Sequence, residues 1–218
     1  MSSRGRAAAD AVIASRRRSS RGSGNAIGKQ SGSGAHGVGD PSDTGKKQLR
    51  IKILTMGDAG TGKSCLVKRY CEERFVSKYI STIGIDYGVK PTTLKGRDVR
   101  VNFWDMSGNE AFFEVRNEFY KDCSGAILVY DVTNKKSFDA LPGWLEEARK
   151  YGAAHDMPVI VCANKVDKRR VVQESDGMQF AVANGLSHWD TSAQSGANVT
   201  DVFETLFTNI IERPPING

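Results

Sequence analysis

Apolar and polar positions along this chain follow two alternating periods. Leu49-Arg50-Ile51-Lys52-Ile53-Leu54 alternates residue by residue and predicts a strand over 49–56. The stretch Cys65-Leu66-Val67-Lys68-Arg69-Tyr70 repeats at helical spacing and predicts a helix over 63–73. Segments 85–94 and 98–105 flank Lys95-Gly96-Arg97 and predict an antiparallel hairpin. A mobile segment then leads into a predicted helix near 111–121. Ala126-Ile127-Leu128-Val129-Tyr130 is apolar throughout, as a parallel strand buried on both faces must be, and predicts a strand over 125–131. Beyond it the pattern predicts a helix over roughly 137–151 with Pro142 near its first turn, a strand over 158–163 and a helix over 173–184. A strand over 187–190 and a helix over 198–212 follow. In the last helix Val199, Val202, Phe203, Leu206 and Ile210 share one face, and Pro214-Pro215 stops it. Strands alternating with helices imply an α/β fold: a six-stranded, mostly parallel sheet with one antiparallel edge strand and helices on both faces. No internal repeat is evident, and no apolar run approaches the length of a membrane span.

The turn after the first strand carries the clearest chemistry. Residues 57–64 read Gly-Asp-Ala-Gly-Thr-Gly-Lys-Ser, matching the phosphate-loop pattern G-x-x-x-x-G-K-[ST] between a strand and a helix. The pattern implies that Asp58, Ala59, Gly60, Thr61 and Gly62 wrap phosphates with main-chain N–H groups, helped by the positive end of the helix. Lys63 then reaches the β- and γ-phosphates, Ser64 offers its hydroxyl to Mg²⁺, and Cys65 lies in the first helical turn. An ordinary glycine-rich turn is the bland alternative. The Lys-Ser pair after the last glycine and the strand–loop–helix context disfavour it.

The base is read farther along. Asn164-Lys165-Val166-Asp167 follows the apolar run Val159-Ile160-Val161-Cys162-Ala163, at the carboxyl end of a strand where open α/β sheets bind ligands. A carboxylate at Asp167 accepts hydrogen bonds from guanine N1–H and the exocyclic amine, two donors that adenine lacks. Asn164 is placed to hold the loop, and the stem of Lys165 to cover a ring face. In Thr191-Ser192-Ala193-Gln194 the Ala193 N–H is placed for the guanine carbonyl, with Ser192 and Gln194 beside it.

Two more segments point at the γ-phosphate. Phe103-Trp104-Asp105-Met106-Ser107-Gly108 ends a strand, so Asp105 can hold Mg²⁺ through water and the Gly108 N–H can bond the γ-phosphate. In Tyr79-Ile80-Ser81-Thr82-Ile83-Gly84, Thr82 is placed to add a second hydroxyl to the metal, and Tyr79 to approach the nucleotide. Phe75 reads either as an edge-on cover for guanine or as core, and Thr82 taken alone reads equally as a loop hydroxyl.

The ordered set G-D-A-G-T-G-K-S, T-I-G, W-D-x-x-G, N-K-V-D and S-A-Q resembles the Ras superfamily of small GTPases, over about residues 48–212. Y-I-S-T-I-G-I-D-Y, W-D and Asp58 are Rab-like. The run Phe112-Phe113-Glu114-Val115-Arg116-Asn117-Glu118-Phe119-Tyr120-Lys121-Asp122 is similar to the Rab-like J subfamily. The resemblance implies a small G domain of the P-loop NTPase fold that binds GTP and GDP with Mg²⁺ held by Ser64, Thr82 and Asp105. Lys63, Thr82, Gly108 and Asn109 would serve hydrolysis. The segments 76–90 and 106–120 would change with the nucleotide and recruit effectors and regulators, with Phe112 and Phe113 either contacting partners or buried.

Three departures matter. Asn109 stands where most relatives carry the Gln that orients the attacking water, one methylene short, which implies slow hydrolysis. Ala59 replaces the glycine of Ras, and its β-carbon would hinder an incoming arginine finger. Gln194 replaces the usual Lys and should weaken support of the base loop only mildly. The His-Pro-Asp tripeptide of J domains is absent from this sequence, so the chaperone role of some relatives is not carried over.

Charge adds a second region. The formal net charge is +6, and residues 1–48 hold nine Lys/Arg against three Asp, which accounts for all of it. That stretch is rich in Ser, Gly and Arg with almost no large apolar content, so residues 1–47 read as a disordered basic tail, 48–213 as the G domain and 214–218 as a short end. Arg16-Arg17-Arg18-Ser19-Ser20-Arg21 would bind acidic surfaces weakly or present Ser19 to a kinase; a solvated tail without a partner is the plainer reading. An Arg- and Ser-rich start also imitates an organelle transit peptide. The last cysteine is Cys162 and residue 2 is Ser, so neither a prenyl nor a myristoyl anchor is expected. Cys65, Cys71, Cys123 and Cys162 show no paired spacing, consistent with a reduced, cytoplasmic monomer; nuclear or cilium-associated settings follow from the resemblance alone. Two functions remain: a switch that turns GTP over slowly, and a scaffold that holds GTP. An adenine-using kinase or ATPase is a remoter third and would make N-K-V-D a coincidence.

Overall fold

The computed structural model describes residues 48–213. The basic stretch 1–47, the end 214–218 and Pro214-Pro215 lie outside the described residues.

Each strand is buried by its own alternation. β1 (Leu49–Met56) sends Ile51 and Ile53 into one core cluster and Leu54 and Met56 into the other. β4 (Gly125–Asp131) does the same, with Ile127 and Val129 on one side and Ala126, Leu128 and Tyr130 on the other. A strand with two buried faces must be continuously apolar, which explains why this segment lacks a polar period. With β2 (Ile85–Leu94), β3 (Arg97–Met106), β5 (Val159–Asn164) and β6 (Ser187–Thr191), these form one six-stranded sheet ordered β2-β3-β1-β4-β5-β6. Pairs β1–β4, β4–β5 and β5–β6 are parallel, while β2–β3 is antiparallel. Pro91 is tolerated in β2 because that strand is the sheet edge. The hairpin turns at Lys95-Gly96, both at positive φ.

α1 (Lys63–Glu72) and α6 (Val199–Ile211) cover one face. There Tyr70, Phe103, Phe203 and Phe207 pack ring against ring, with the Tyr70 and Phe203 centroids 4.7 Å apart. The opposite face is covered through Leu141, Trp144, Leu145 and Ala181, from α4 (Leu141–Lys150) and α5 (Glu174–Ala183).

Two predicted helices differ. The single helix expected over 137–151 is two: α3 (Lys135–Asp139) and α4. The Asn134 side chain accepts from the Lys136 N–H and starts the first early, and Pro142 has no N–H to continue the ladder past Ala140. The helix expected near 111–121 is a 3₁₀ turn (Glu110–Phe112) followed by α2 (Phe113–Asn117). It ends at Glu118, beyond which the Phe119 N–H bonds back to the Arg116 carbonyl (3.0 Å), a tight i→i+3 closure that stops the α-helical ladder. No helix among the described residues is long and apolar enough to cross a membrane.

Candidate functional site

The phosphate loop leaves β1 at Gly57, where φ is +128° and a Cβ would collide with the carbonyl oxygen of Val129 on β4. Only glycine fits this approach. The loop ends at Gly62, which starts α1 in the left-handed region without a side-chain cap. The first turn of α1 holds no acidic residue, so its N–H groups and positive end face the loop uncompensated. Lys63 is 6% exposed and folds back to donate to the carbonyls of Gly57 (2.7 Å) and Asp58 (2.8 Å). Burial lowers the Lys63 pKa to about 8, against the pull of Asp105 and Asp58. An ammonium held this way gains from a phosphate, which would supply the countercharge that burial removed.

Ser64, Thr82 and Asp105 meet as expected. The Ser64 and Thr82 hydroxyls lie 2.9 Å apart, and Ser64 donates to Asp105 Oδ2. Thr55 on β1, which the sequence did not single out, donates to Asp105 Oδ1 (2.7 Å) and accepts from the Met106 N–H (3.2 Å). Burial pushes the Asp105 carboxyl above its ordinary value; hydrogen bonds from Ser64 and Thr55 and the charge of Lys63 oppose it. Two hydroxyls and one carboxylate, all oxygen donors, fit a hard cation such as Mg²⁺ whose remaining positions belong to phosphates and water.

A cavity of about 260 Å³ opens over this cradle. Ala59, Gly60, Gly62, Lys63, Ser64, Cys65, Phe75, Tyr79, Thr82, Gly108, Asn164, Lys165, Asp167, Ala193 and Gln194 line it, together with Lys68 and Lys168, which the motifs did not mark. Phe75, read either as core or as a cover for the base, packs against the α1–α6 core and also lines the cavity. Thr61 is buried and turned inward, its hydroxyl donating to Asp58 O (2.9 Å), so only its main chain is available to a ligand. Asp58 and Asn109 line a neighbouring depression that shares Ala59 and Gly108 with this cavity.

The base loops are held from several sides. Asn164 Nδ2 donates to Thr61 O (2.8 Å), tying N-K-V-D to the phosphate loop. Its Oδ1 accepts the Ala193 N–H at 3.2 Å, so that N–H is engaged with Asn164 in this arrangement. Ser192 donates to Asp167 Oδ1, which orients the carboxylate. Arg69, unremarked in the sequence, donates from α1 to Ala193 O (2.9 Å) and Gln194 O (2.6 Å), supplying support where the usual Lys is missing.

Asp131 is a further residue the motifs did not mark. It accepts from Lys165 Nζ (2.5 Å), which also donates to Gly60 O (2.7 Å). Burial pushes the Asp131 carboxyl up, but hydrogen bonds from Lys165 and Thr133 outweigh it and hold it below its ordinary value. Asp131→Asn keeps an acceptor but removes the charge from this largely buried pair, at a cost of about 1 kcal/mol or more. GDP should leave roughly fivefold faster, by the same free energy. Stopped-flow release of a fluorescent GDP analogue checks it, and an unchanged rate would show that Lys165 needs no such anchor.

The second segment closes on the phosphate loop at Gly108, where a Cβ would strike the main chain of Asp58 and Ala59. Asn109 next to it is exposed, and its Oδ1 accepts the Ala111 N–H (3.0 Å), capping the 3₁₀ turn. Phe112 and Phe113 are half-buried, Phe113 against Tyr151. Tyr79, Ile80 and Ile83 are exposed.

Comparison with known proteins agrees with this geometry. The Ras family model matches residues 52–212. DnaJ homolog subfamily C member 27 of Rattus norvegicus is 50% identical over 172 residues, covering 76% of this chain and 63% of its own length. Its Homo sapiens counterpart is 49% identical with the same coverage, and that of Danio rerio is 51% identical over 173 residues, covering 77% and 63%. The chain therefore spans a little under two thirds of the length of these relatives. Their name carries the J-domain term that the resemblance to the Rab-like J subfamily implied. Ras-family domains bind GTP and GDP with Mg²⁺ and act as switches, and the chain, matched over most of its length and built around a phosphate loop with the motifs in family order, belongs to the Ras family as a Rab-like small GTPase.

Proposed function

We propose that this domain is a slow GTP-hydrolysing switch whose segments 76–90 and 106–120 recruit effectors and regulators in signalling or vesicle trafficking. The observation that carries the slow step is the position of Asn109. Its amide oxygen is engaged by the Ala111 N–H within its own turn, the use for which asparagine is well suited. A shorter side chain that is also capping its own turn is poorly placed to orient a water.

In this reading Lys63 and the loop N–H groups bind and orient the phosphates, and Asp167 selects guanine. Ser64, Thr82 and Asp105 would hold Mg²⁺, which when bound neutralises phosphate charge. Thr82 and the Gly108 N–H follow the γ-phosphate, so loss of that group releases both segments. Exposed Tyr79, Ile80 and Ile83 supply apolar readout area on the first segment. The domain acts as a monomer in a reduced, cytoplasmic setting, with nuclear or cilium-associated locations also compatible.

The test is single-turnover hydrolysis of Mg²⁺·GTP by the full chain beside Asn109→Gln. Gln loses the cap and gains reach, and we expect the rate to rise about tenfold. No change would remove Asn109 as the cause of slow turnover. No hydrolysis by the parent over hours, rescued by Gln, would favour the second reading: a scaffold held in the GTP form, which the same capped Asn109 supports.

A further inference from the structure

We infer that Arg116 is a positioning residue for hydrolysis, clamping the Asn109 main chain to α4 through Glu147 and so to the phosphate loop through Trp144; this rests on the GTPase reading above. Arg116 is charged yet only 5% exposed, on the short helix α2. Its Nε and Nη2 fork onto Glu147 Oε1 (2.6 Å) and Oε2 (2.8 Å), and Tyr120 OH donates to the same Oε1 (2.7 Å). The third direction of the guanidinium is the informative one. Nη1 donates to the Asn109 carbonyl at 3.1 Å. The Asn109 N–H meets Ser107 Oγ at 3.3 Å, so both main-chain groups of this residue are held.

The chain of contacts does not stop at α4. The guanidinium lies 4.4 Å from the centroid of the Trp144 ring, and Trp144 Nε1 donates to Asp58 Oδ1 in the phosphate loop (2.8 Å). One buried cation thus joins the residue beside Gly108, a helix of the scaffold and the loop that cradles phosphate. Asp58, Gly108, Asn109, Arg116, Trp144 and Glu147 all line one open surface depression beside the phosphate loop. A flexible segment placed by a planar, three-way donor is preorganised in a way that a lone ion pair would not achieve. Lysine cannot substitute: a single ammonium lacks the fork that reaches Glu147 and the Asn109 carbonyl together.

The test uses the full chain as parent, Arg116→Lys, Glu147→Gln, Asn109→Gln and Asn109→Gln/Arg116→Lys. Each is measured for GDP affinity, melting temperature and single-turnover GTP hydrolysis. A positioning role predicts GDP affinity within about threefold of the parent and hydrolysis reduced about tenfold or more in both single clamp variants. It also predicts that any gain from Asn109→Gln disappears when Arg116→Lys is added. Hydrolysis in Arg116→Lys within twofold of the parent would overturn the inference, as would a rate loss matched by equal losses of GDP affinity and melting temperature. Should Arg116→Lys not fold, Glu147→Gln decides by the same criteria. A parent that binds no GTP would remove the GTPase reading first, and the positioning role with it.

Discussion

Asp167→Asn should shift this protein from guanine to xanthine nucleotides. The carboxylate is an acceptor only, matched to the N1–H and exocyclic amine of guanine. Ser192 donates to Asp167 Oδ1 and in turn accepts the Ser195 N–H (3.0 Å), so the orientation of the group is set from behind. In the asparagine variant Oδ1 keeps that bond, and the amide NH₂ takes the place of the second oxygen. It then faces two guanine donors with a donor of its own, whereas xanthine offers a carbonyl at the corresponding position. A site built to bond a polar edge rejects a mismatch by about 10³-fold or more, so GTP affinity should fall by at least that factor. Affinity for xanthosine triphosphate should rise above it. Equilibrium competition among GTP, XTP and ATP reads both directions. Retained GTP preference would mean that Asp167 does not read the base.

Gly108→Ala should uncouple the second segment from the nucleotide. Its new Cβ would meet the main chain of Ala59 and Asp58 and lie 2.5 Å from Gly57 O. All three are main-chain groups of the phosphate loop, itself packed on Val129 and Asn164, so no flexible side chain can yield. The switch segment must move instead, by an amount on the order of 1 Å, and the residue-108 N–H moves with it. Hydrolysis should fall about a hundredfold. GDP affinity should stay within about threefold, because the contacts of Lys63 and the loop are unchanged, while preference for GTP over GDP is lost. Single-turnover hydrolysis and the ratio of the two affinities measure this. A variant that hydrolyses GTP at the parent rate would show that the loop yields after all.

The chain order of strands and helices, the phosphate loop and the base-reading motifs were legible from the residues alone. The phosphate loop is one continuous segment, Gly57 to Ser64, the apolar run 126–130 declares a strand buried on both faces without reference to its partners, and N-K-V-D gained its meaning from its order behind that loop and ahead of S-A-Q. The meeting of Ser64, Thr82 and Asp105 was legible only through the motif set, since nothing local to Thr82 separates a metal ligand from a loop hydroxyl. The break at Ala140 was half-visible: Pro142 was read as lying near a first turn, which α4 bears out, but that a separate helix capped by Asn134 precedes it was not.

Arg69, Asp131, Trp144, Arg116 and Glu147 were given no individual role by the sequence. Each is an ordinary residue in an ordinary helix or strand, and its role comes from a partner distant in sequence: Arg69 on the carbonyls of 193–194, Asp131 on Lys165, Trp144 on Asp58, Arg116 on Glu147. The sequence by itself named the groups expected to grip a nucleotide, because each sits in a short motif that can be read without its partners. Only the tertiary structure decided what holds that grip in place, because a supporting contact is a pairing across the sheet and its helices, and a linear pattern carries no record of which distant side chain will lie within 3 Å.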